Sequence, residues 1–438
     1  MAGVLLSVQG VRLRWVAGIV CAAIAVSIAA TAFAAGGAGG LDRSLGEHGK
    51  VVTRFKYEHS RPSFISRPRA NSVVVDSRNR VVAVGSADRR FALARYKPNG
   101  RLDRTFSGNG KVTTQVSSAH RDARSEAYAG AIDSRGRIVA VGVAYTKHFS
   151  ERIALARYKP NGHLDHSFGD HGEVRSLIES EKANAARAVA IDSNGRIVVA
   201  GWLGGPGQFF ALARYEPNGK LDRSFGENGT LLTSFSGYDG AESVAIDAQG
   251  RIVAAGFAER DVALVRYEPN GDLDPSFGND GKVVTNFAGE VAANSIAIDS
   301  QGRIVAAVDS REPGNVRHFT VARYSEDGSL DGSFGNGGEV TTDFGGRSVA
   351  EGIAIDRSGR ILLAGRASSS GHRKFALARY LPDGNLDAAF SRDGKTITTF
   401  GSGKEVQGAN GAAIDRKGRI VSAGYVLGKF ALARYLGR

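Results

Sequence analysis

A chain of 438 residues that is 42% hydrophobic, with 58 glycines, reads as a turn-rich folded protein and not as a disordered one. Its single cysteine, Cys21, excludes disulfides, a thiolate metal site and a cysteine nucleophile from the rest of the chain. The formal net charge of +13 favours anionic partners.

The first element is an export signal over residues 1–35. Arg12 and Arg14 form a basic n-region, an uncharged run extends from Trp15 to Ala35, and Ala32-Phe33-Ala34 offers a small-x-small cleavage site. That run of 21 residues is also long enough to remain as an uncleaved anchor. Positive charge on its N-terminal side places the remainder outside the membrane in either case, so the expected location is secreted or extracytoplasmic and membrane-anchored. Any membrane contact is then confined to this segment. Val20 before Cys21 argues against lipidation, and loss of Arg12 and Arg14 leaves a charge of +11. Residues 36–40 are a Gly-rich linker.

From residue 41 onward one unit recurs. The string Phe91-Ala-Leu-Ala-Arg-Tyr96 has counterparts whose arginines, Arg95, Arg157, Arg214, Arg266, Arg323, Arg379 and Arg434, lie 52 to 62 residues apart. A period of this size belongs to propellers and solenoids, because one such unit cannot bury its own apolar faces. Each unit reads as four strands. Strand a ends in Val-Asp76 or Ile-Asp133, and strand b is Arg137-Ile-Val-Ala-Val-Gly142 and its equivalents, with a tight turn such as Ser134-Arg135-Gly136 between them. Strand c is the Ala-Leu-Ala-Arg-Tyr string, closed by a Pro160-Asn161-Gly162 turn, and strand d follows Leu-Asp-x-Ser-Phe-Gly.

Chain order then separates a ring from an open array. Residues 41–55 form a lone d segment and Phe430 to Tyr435 a lone c segment, so the first completes the last blade and no edge is left exposed. The expected fold is all-β: a seven-bladed β-propeller of four-stranded blades over residues 41–438. The stretch Ala-Arg-Tyr-x-Pro-Asn-Gly-x-Leu-Asp-x-Ser-Phe-Gly-x-x-Gly resembles the delta-60 repeat of bacterial exported proteins. That resemblance spans essentially all of residues 41–438 and implies a propeller-like repeat fold without an assigned activity. The a-to-b hairpin is more distantly similar to NHL and gluconolactonase-type propellers.

Charges present in every unit are expected to hold blades together, since a catalytic site needs a single arrangement in one place. They are the strand-a Asp (Asp76, Asp133 and onward), the Arg opening strand b (Arg80, Arg137 and onward), the strand-c Arg and the Asp of Leu-Asp (Asp103, Asp165 and onward). A strand-c Arg left unpaired between blades would cost several kcal/mol, so it should pair with one of the repeated aspartates.

Function is sought where the units differ, on the rim of b-to-c and d-to-a loops. Lys56, Arg61, Arg67 and Arg69, with Arg366, Arg373 and Lys374, make blades 6, 7 and 1 basic. Across the ring, Asp239, Glu242, Glu259, Asp261 and Glu290 make blades 3 to 5 acidic. Such a rim suits docking of an anionic surface polymer or an extracellular protein. Nucleic acid is excluded by the compartment and by the lack of interleaved aromatics.

Five residues before each strand-a Asp stands a polar residue preceded by Ala: Asn71, Tyr128, Arg187, Glu242, Asn294, Glu351 and Asn410. Strand a lines the axis, so these residues are expected to ring the channel mouth as a ligand-binding set, the alternative being hydrated strand ends. If a metal is present, Glu242, Asn294 and Glu351 supply oxygen donors suited to Ca²⁺. No catalytic residue is assigned: nucleophile-elbow, His-Glu-x-x-His and phosphate-loop motifs are lacking, and His59, His120, His148, His318 and His372 lie in or beside loops of different blades. The leading expectation is a monomeric binding or scaffold module without cofactor. The second is a Ca-dependent hydrolase of gluconolactonase-like type with its site at the axial channel.

Overall fold

The computed structural model describes residues 37–56, 67–116, 124–145, 151–178, 184–203, 209–235, 237–287, 289–312, 316–369 and 371–438. The export segment, Arg61, His59, His120 and His148 lie outside these residues. Seven sheets of four antiparallel strands follow one another around a ring. Blade 1 is typical, with strand a at Arg69–Val75, b at Val81–Ala87, c at Arg90–Tyr96 and d at Lys111–Thr114. The other inner strands are Arg124–Ile132, Asn184–Ile191, Asp239–Ile246, Glu290–Ile298, Ser348–Ile355 and Gln407–Ile414. Among the described residues no helix is long and apolar enough to cross a membrane.

Strands b and c are apolar on both faces because each sheet is covered on both sides. Val81–Ala87 is buried at every position, whereas the short outer strand Lys111–Thr114 is buried only at Thr114. The core is accordingly divided into layers between consecutive sheets. In the layer between blades 4 and 5, Val253, Leu264 and Phe277 meet Val291, Ile304 and Tyr324.

Buried arginines tie each blade to the next. Arg214 Nε donates to Asp222 Oδ2 at 2.7 Å, its Nη1 donates to the carbonyl of Pro269 in blade 4, and its guanidinium lies 4.3 Å from the Phe225 ring centre. The aspartate of Leu-Asp is thus the partner of the strand-c arginine. The arginine opening strand b takes the other repeated acid, as in Arg137 Nε to Asp133 Oδ2 at 2.6 Å. Each of these charges thus faces an opposite one, which removes the cost of an unpaired buried charge. The strand-c tyrosine adds a second clamp in the opposite direction: Tyr158 OH donates to Thr114 of blade 1 at 2.8 Å.

Blade 7 is assembled from both ends of the described chain. Its sheet runs Lys50–Thr53, Lys429–Tyr435, Ile420–Val426, Gln407–Ile414, with Lys50 opposite Ala433 and Thr53 opposite Phe430. Arg434 Nη1 reaches the Pro98 carbonyl of blade 1 at 2.6 Å, so the ring is closed by the same bond that joins the other blades.

Candidate functional site: the axial ring and its rim

Each inner strand carries a β-bulge at one place. In blade 4, Ala241 opposes Gly256 and Ser243 opposes Ala255, which leaves Glu242 outside the ladder. The same shift leaves out Asn71, Tyr128, Arg187, Asn294, Glu351 and Asn410. A bulge turns one side chain away from the alternation of its strand, and here it turns seven polar side chains toward the axis. Strand b accommodates the bulge with a glycine in six blades. A Cβ on Gly256 would come within 2.0 Å of the Gly240 carbonyl oxygen, and in blade 5 Val308 occupies the equivalent position.

All seven residues line two cavities, of about 330 and 360 Å³, which share the ring as their common wall. The second is a vestibule on the variable rim, where Arg69, Phe257, Ala292 and Arg366 join the ring.

The ring is internally bonded. Asn71 Nδ2 donates to the Ala127 carbonyl of the next blade at 2.7 Å, and Asn294 and Asn410 do the same to Ala350 and Ala70 at 2.8 and 2.7 Å. Arg187 Nε donates to Glu242 Oε2 at 2.8 Å, and its guanidinium packs 4.6 Å from the Tyr128 ring and 5.0 Å from that of Trp202. Arg366 is ion-paired with Glu351. Burial works to lower Arg187, but Glu242, Tyr128 and Glu351 raise it above its ordinary value. Burial pushes the Glu351 carboxyl up against the pull of Arg366, with Asp309 and Glu242 adding to the rise.

These donors do not fit a dication. Glu242 and Glu351 are each neutralised by an arginine that projects into the same space. Ca²⁺ needs several oxygens and no competing cation. Among the described residues no group of three or more His, Cys, Asp or Glu is arranged to hold a metal ion.

The basic rim is placed as follows. Lys56, Arg67, Arg69 and Arg373 are exposed and Lys374 is half-buried. Arg67 lies against Gly428 in the b-to-c turn of blade 7, which brings the loops of blades 7 and 1 together. Blade 6 extends its b-to-c hairpin so that Ser368 pairs with Arg373 and Ser369 with His372, lifting the cations off the rim. Arg69 leans over the vestibule with its side chain 49% exposed and Glu126 at 3.8 Å. Three expected rim charges are elsewhere, Glu242 among them through its axial pair with Arg187. Arg366 turns inward to Glu351, because its place on strand b directs it to the axis and not outward. Asp239 is fully buried, accepting the Phe235 N–H at 2.6 Å, and so shapes the turn into strand a of blade 4. On the acidic side Glu259 is exposed, and Asp261 accepts from Asn286 at 2.9 Å.

Seven four-stranded blades around a bonded polar axis define a closed β-propeller. Residues 79–106, 136–168, 193–225, 249–277, 300–334 and 357–390 match the family model of a domain of unknown function, the DUF5122 β-propeller. The corresponding segment of blade 7 is split between strands b and c at Ile420–Tyr435 and the turn at residues 41–45. Comparison of the sequence with curated proteins gives no match. Among solved structures, a PL25 ulvan lyase bound to -[GlcA(1-4)Rha3S]- is similar with TM-score 0.52 and 10% identity, over 85% of this chain and 94% of that one. A catalytically inactive virginiamycin B lyase from Staphylococcus aureus with quinupristin has TM-score 0.49 and 10% identity, over 88% of this chain and 99% of that one. YCF48 from Cyanidioschyzon merolae has TM-score 0.44 and 11% identity, over 88% and 98%. At such identities the likeness is one of fold alone.

Proposed function

We propose that the protein is a non-enzymatic, extracytoplasmic binding module of delta-60 type that docks an acidic surface polysaccharide on the rim of blades 6, 7 and 1. The observation that carries this reading is the placement of exposed Arg67, Arg69 and Arg373 on blades 1 and 6, on either side of blade 7, with Arg69 over a vestibule of aromatic and amide walls. Tyr128 and Phe257 offer faces for a sugar ring, the oxygens of Asn71 and Asn410 are left as acceptors, and the cations meet its carboxylates or sulfates. The ring itself is charge-balanced, so selectivity for anions comes from the outer loops. A Ca-dependent hydrolase is disfavoured by the arginines at Glu242 and Glu351.

The test combines Arg67→Gln, Arg69→Gln, Arg373→Gln and Lys374→Gln. Binding to an acidic polysaccharide or to cell-wall fractions is expected to fall in this variant and to weaken with salt, as exposed charges are screened over about 8 to 10 Å. Binding that survives the four changes, with the fold intact by circular dichroism, would sink the reading.

A further inference from the structure

The opposite rim carries an asymmetry of its own, although the residues that build it belong to the repeated turns. In the a-to-b turns, blades 7, 1 and 2 present Arg416, Arg78 and Arg135, all exposed. The equivalent turns of blades 3, 4 and 5 present Asn194, Gln249 and Gln301. The c-to-d turns follow the same division: Lys97, Arg101 and Lys159 stand on blades 1 and 2, against Asp272, Glu326 and Asp327 on blades 4 and 5.

At the centre of the basic arc, a groove of about 610 Å³ runs between blades 1 and 2, and Arg78, Arg135 and Arg416 line it. Its two acids are already used. Asp76 Oδ2 accepts from Arg80 Nε at 2.6 Å and its Oδ1 accepts the N–H groups of Arg78 and Arg80, both at 2.9 Å. Asp133 is held in the same way by Arg137 Nε at 2.6 Å and by the N–H groups of Arg135 and Arg137 at 3.0 and 2.8 Å. Arg95, also in the wall, is spent on Asp103. The side chains of Arg78, Arg135 and Arg416 have no hydrogen bond or ion pair among the described residues. Three uncompensated guanidiniums therefore converge on one groove.

We infer that this groove is a second binding site, independent of the vestibule, and that it takes a linear phosphate-rich polyanion. A guanidinium presents a planar fork of donors that matches phosphate oxygens in pairs, which a point charge does not. The hydroxyls of Ser77 and Ser134 in the wall add neutral donors of the kind phosphate oxygens accept. No aromatic side chain lines the groove, so neither a sugar face nor a nucleobase has a platform to stack on. Recognition must come from the anionic groups themselves. The arc continues past the groove to Lys97, Arg101 and Lys159, which fits a chain and not a single ion.

The probe is inorganic polyphosphate, titrated into the protein and followed calorimetrically at two salt concentrations. Arg78→Gln, Arg135→Gln and Arg416→Gln together are expected to weaken binding about tenfold or more, as the loss of three exposed charge pairs implies. Lys220→Gln, Arg223→Gln and Arg392→Gln remove the same charge from exposed sites elsewhere and should change it by less than about twofold. Equal losses in the two triple variants, with melting temperatures unchanged, would overturn the site. Dextran sulfate and polygalacturonate are run in parallel. If the groove variant loses either of them as much as polyphosphate, the assignment to phosphate is wrong. The four rim substitutions should leave polyphosphate binding in place, so failure of this inference and failure of the vestibule reading are separable.

Discussion

Arg434 donates from Nε to Asp42 Oδ2 at 2.8 Å across 392 residues of chain, and it makes in blade 7 the bond that every other blade makes within eight residues. Asp42 also accepts the hydroxyl and N–H of Ser44, and its backbone N–H donates to the Arg434 carbonyl at 2.8 Å. The two halves of the blade are therefore joined by charge, by backbone and by the strand pairing of Lys50–Thr53 with Phe430–Ala433. Deleting residues 37–56 removes all three and uncovers an unpaired strand edge. The expected result is aggregation or a sharply lower melting temperature in a scanning calorimeter. A truncated protein that melts like the parent would contradict closure by this strand.

Arg214 and Arg67 test the difference between an arginine inside the ring and one on its surface. Arg214→Met strands Asp222 in a buried position and breaks the link to Pro269. It should cost about 3–5 kcal/mol in chemical denaturation, the usual result of removing one partner of a buried pair. Arg67→Met, at an exposed position, should stay within about 0.5 kcal/mol. Similar losses at both would mean that the interblade arginines contribute little.

The alternation of apolar strands, the turn chemistry and the Leu-Asp repeat make the blades and their closure legible in the sequence. The offset of seven polar residues from the strand-a aspartates also marks one level of the ring. The bulge that aims them is not legible, because no residue type demands it: Glu242 and Asn294 make it as readily as Tyr128. Nor does a one-dimensional charge count distinguish Asp239, buried beneath its own turn, from a rim carboxylate, or Arg366 from an outward cation. The basic groove between blades 1 and 2 escaped for a different reason. Its charges occupy the variable middle of turns whose flanking residues repeat, so the unit as a whole reads as structural.

Acid and base should act on the ring through different groups. Burial alone would raise the Asp103 carboxyl, but Thr105, Arg95 and Arg80 together hold it below its ordinary 3.8, and Asp42, Asp165, Asp222, Asp274 and Asp331 are lowered by the same kind of surroundings. A depressed carboxyl stabilises the fold above its unfolded value, and that contribution is lost as pH falls through the folded one. Glu351 has the reverse sign. Its raised carboxyl costs nothing below the ordinary 4.5 and costs progressively more as pH climbs through the folded value. Melting temperature should thus fall steeply below pH 3.8 and ease downward above pH 4.5, and Glu351→Gln should flatten only the second slope. A curve whose acid limb is unchanged by disrupting several Leu-Asp pairs at once would refute the first part.

The axial ring makes the sharpest prediction, because one side chain stands where a cation would otherwise sit. Arg187 donates to Glu242, and Glu351 contributes to its raised basicity, so its guanidinium serves as the positive charge of the ring. With that charge in place a calcium ion would meet repulsion and lose its best carboxylate to an existing pair. Millimolar Ca²⁺ should therefore leave the melting temperature of the parent protein unchanged. Arg187→Ala frees Glu242 beside Asn294 and Glu351 and leaves a half-buried carboxylate without its partner. The variant should melt lower than the parent and regain part of the loss when Ca²⁺ is added, since a ligand that binds only the folded state stabilises it by mass action. Arg187→Ala combined with Glu242→Gln removes the acquired donor and should erase that response. If the parent protein is itself stabilised by Ca²⁺ and Glu242→Gln abolishes the effect, the ring is a metal site after all and the arginine pair is a resting arrangement of it.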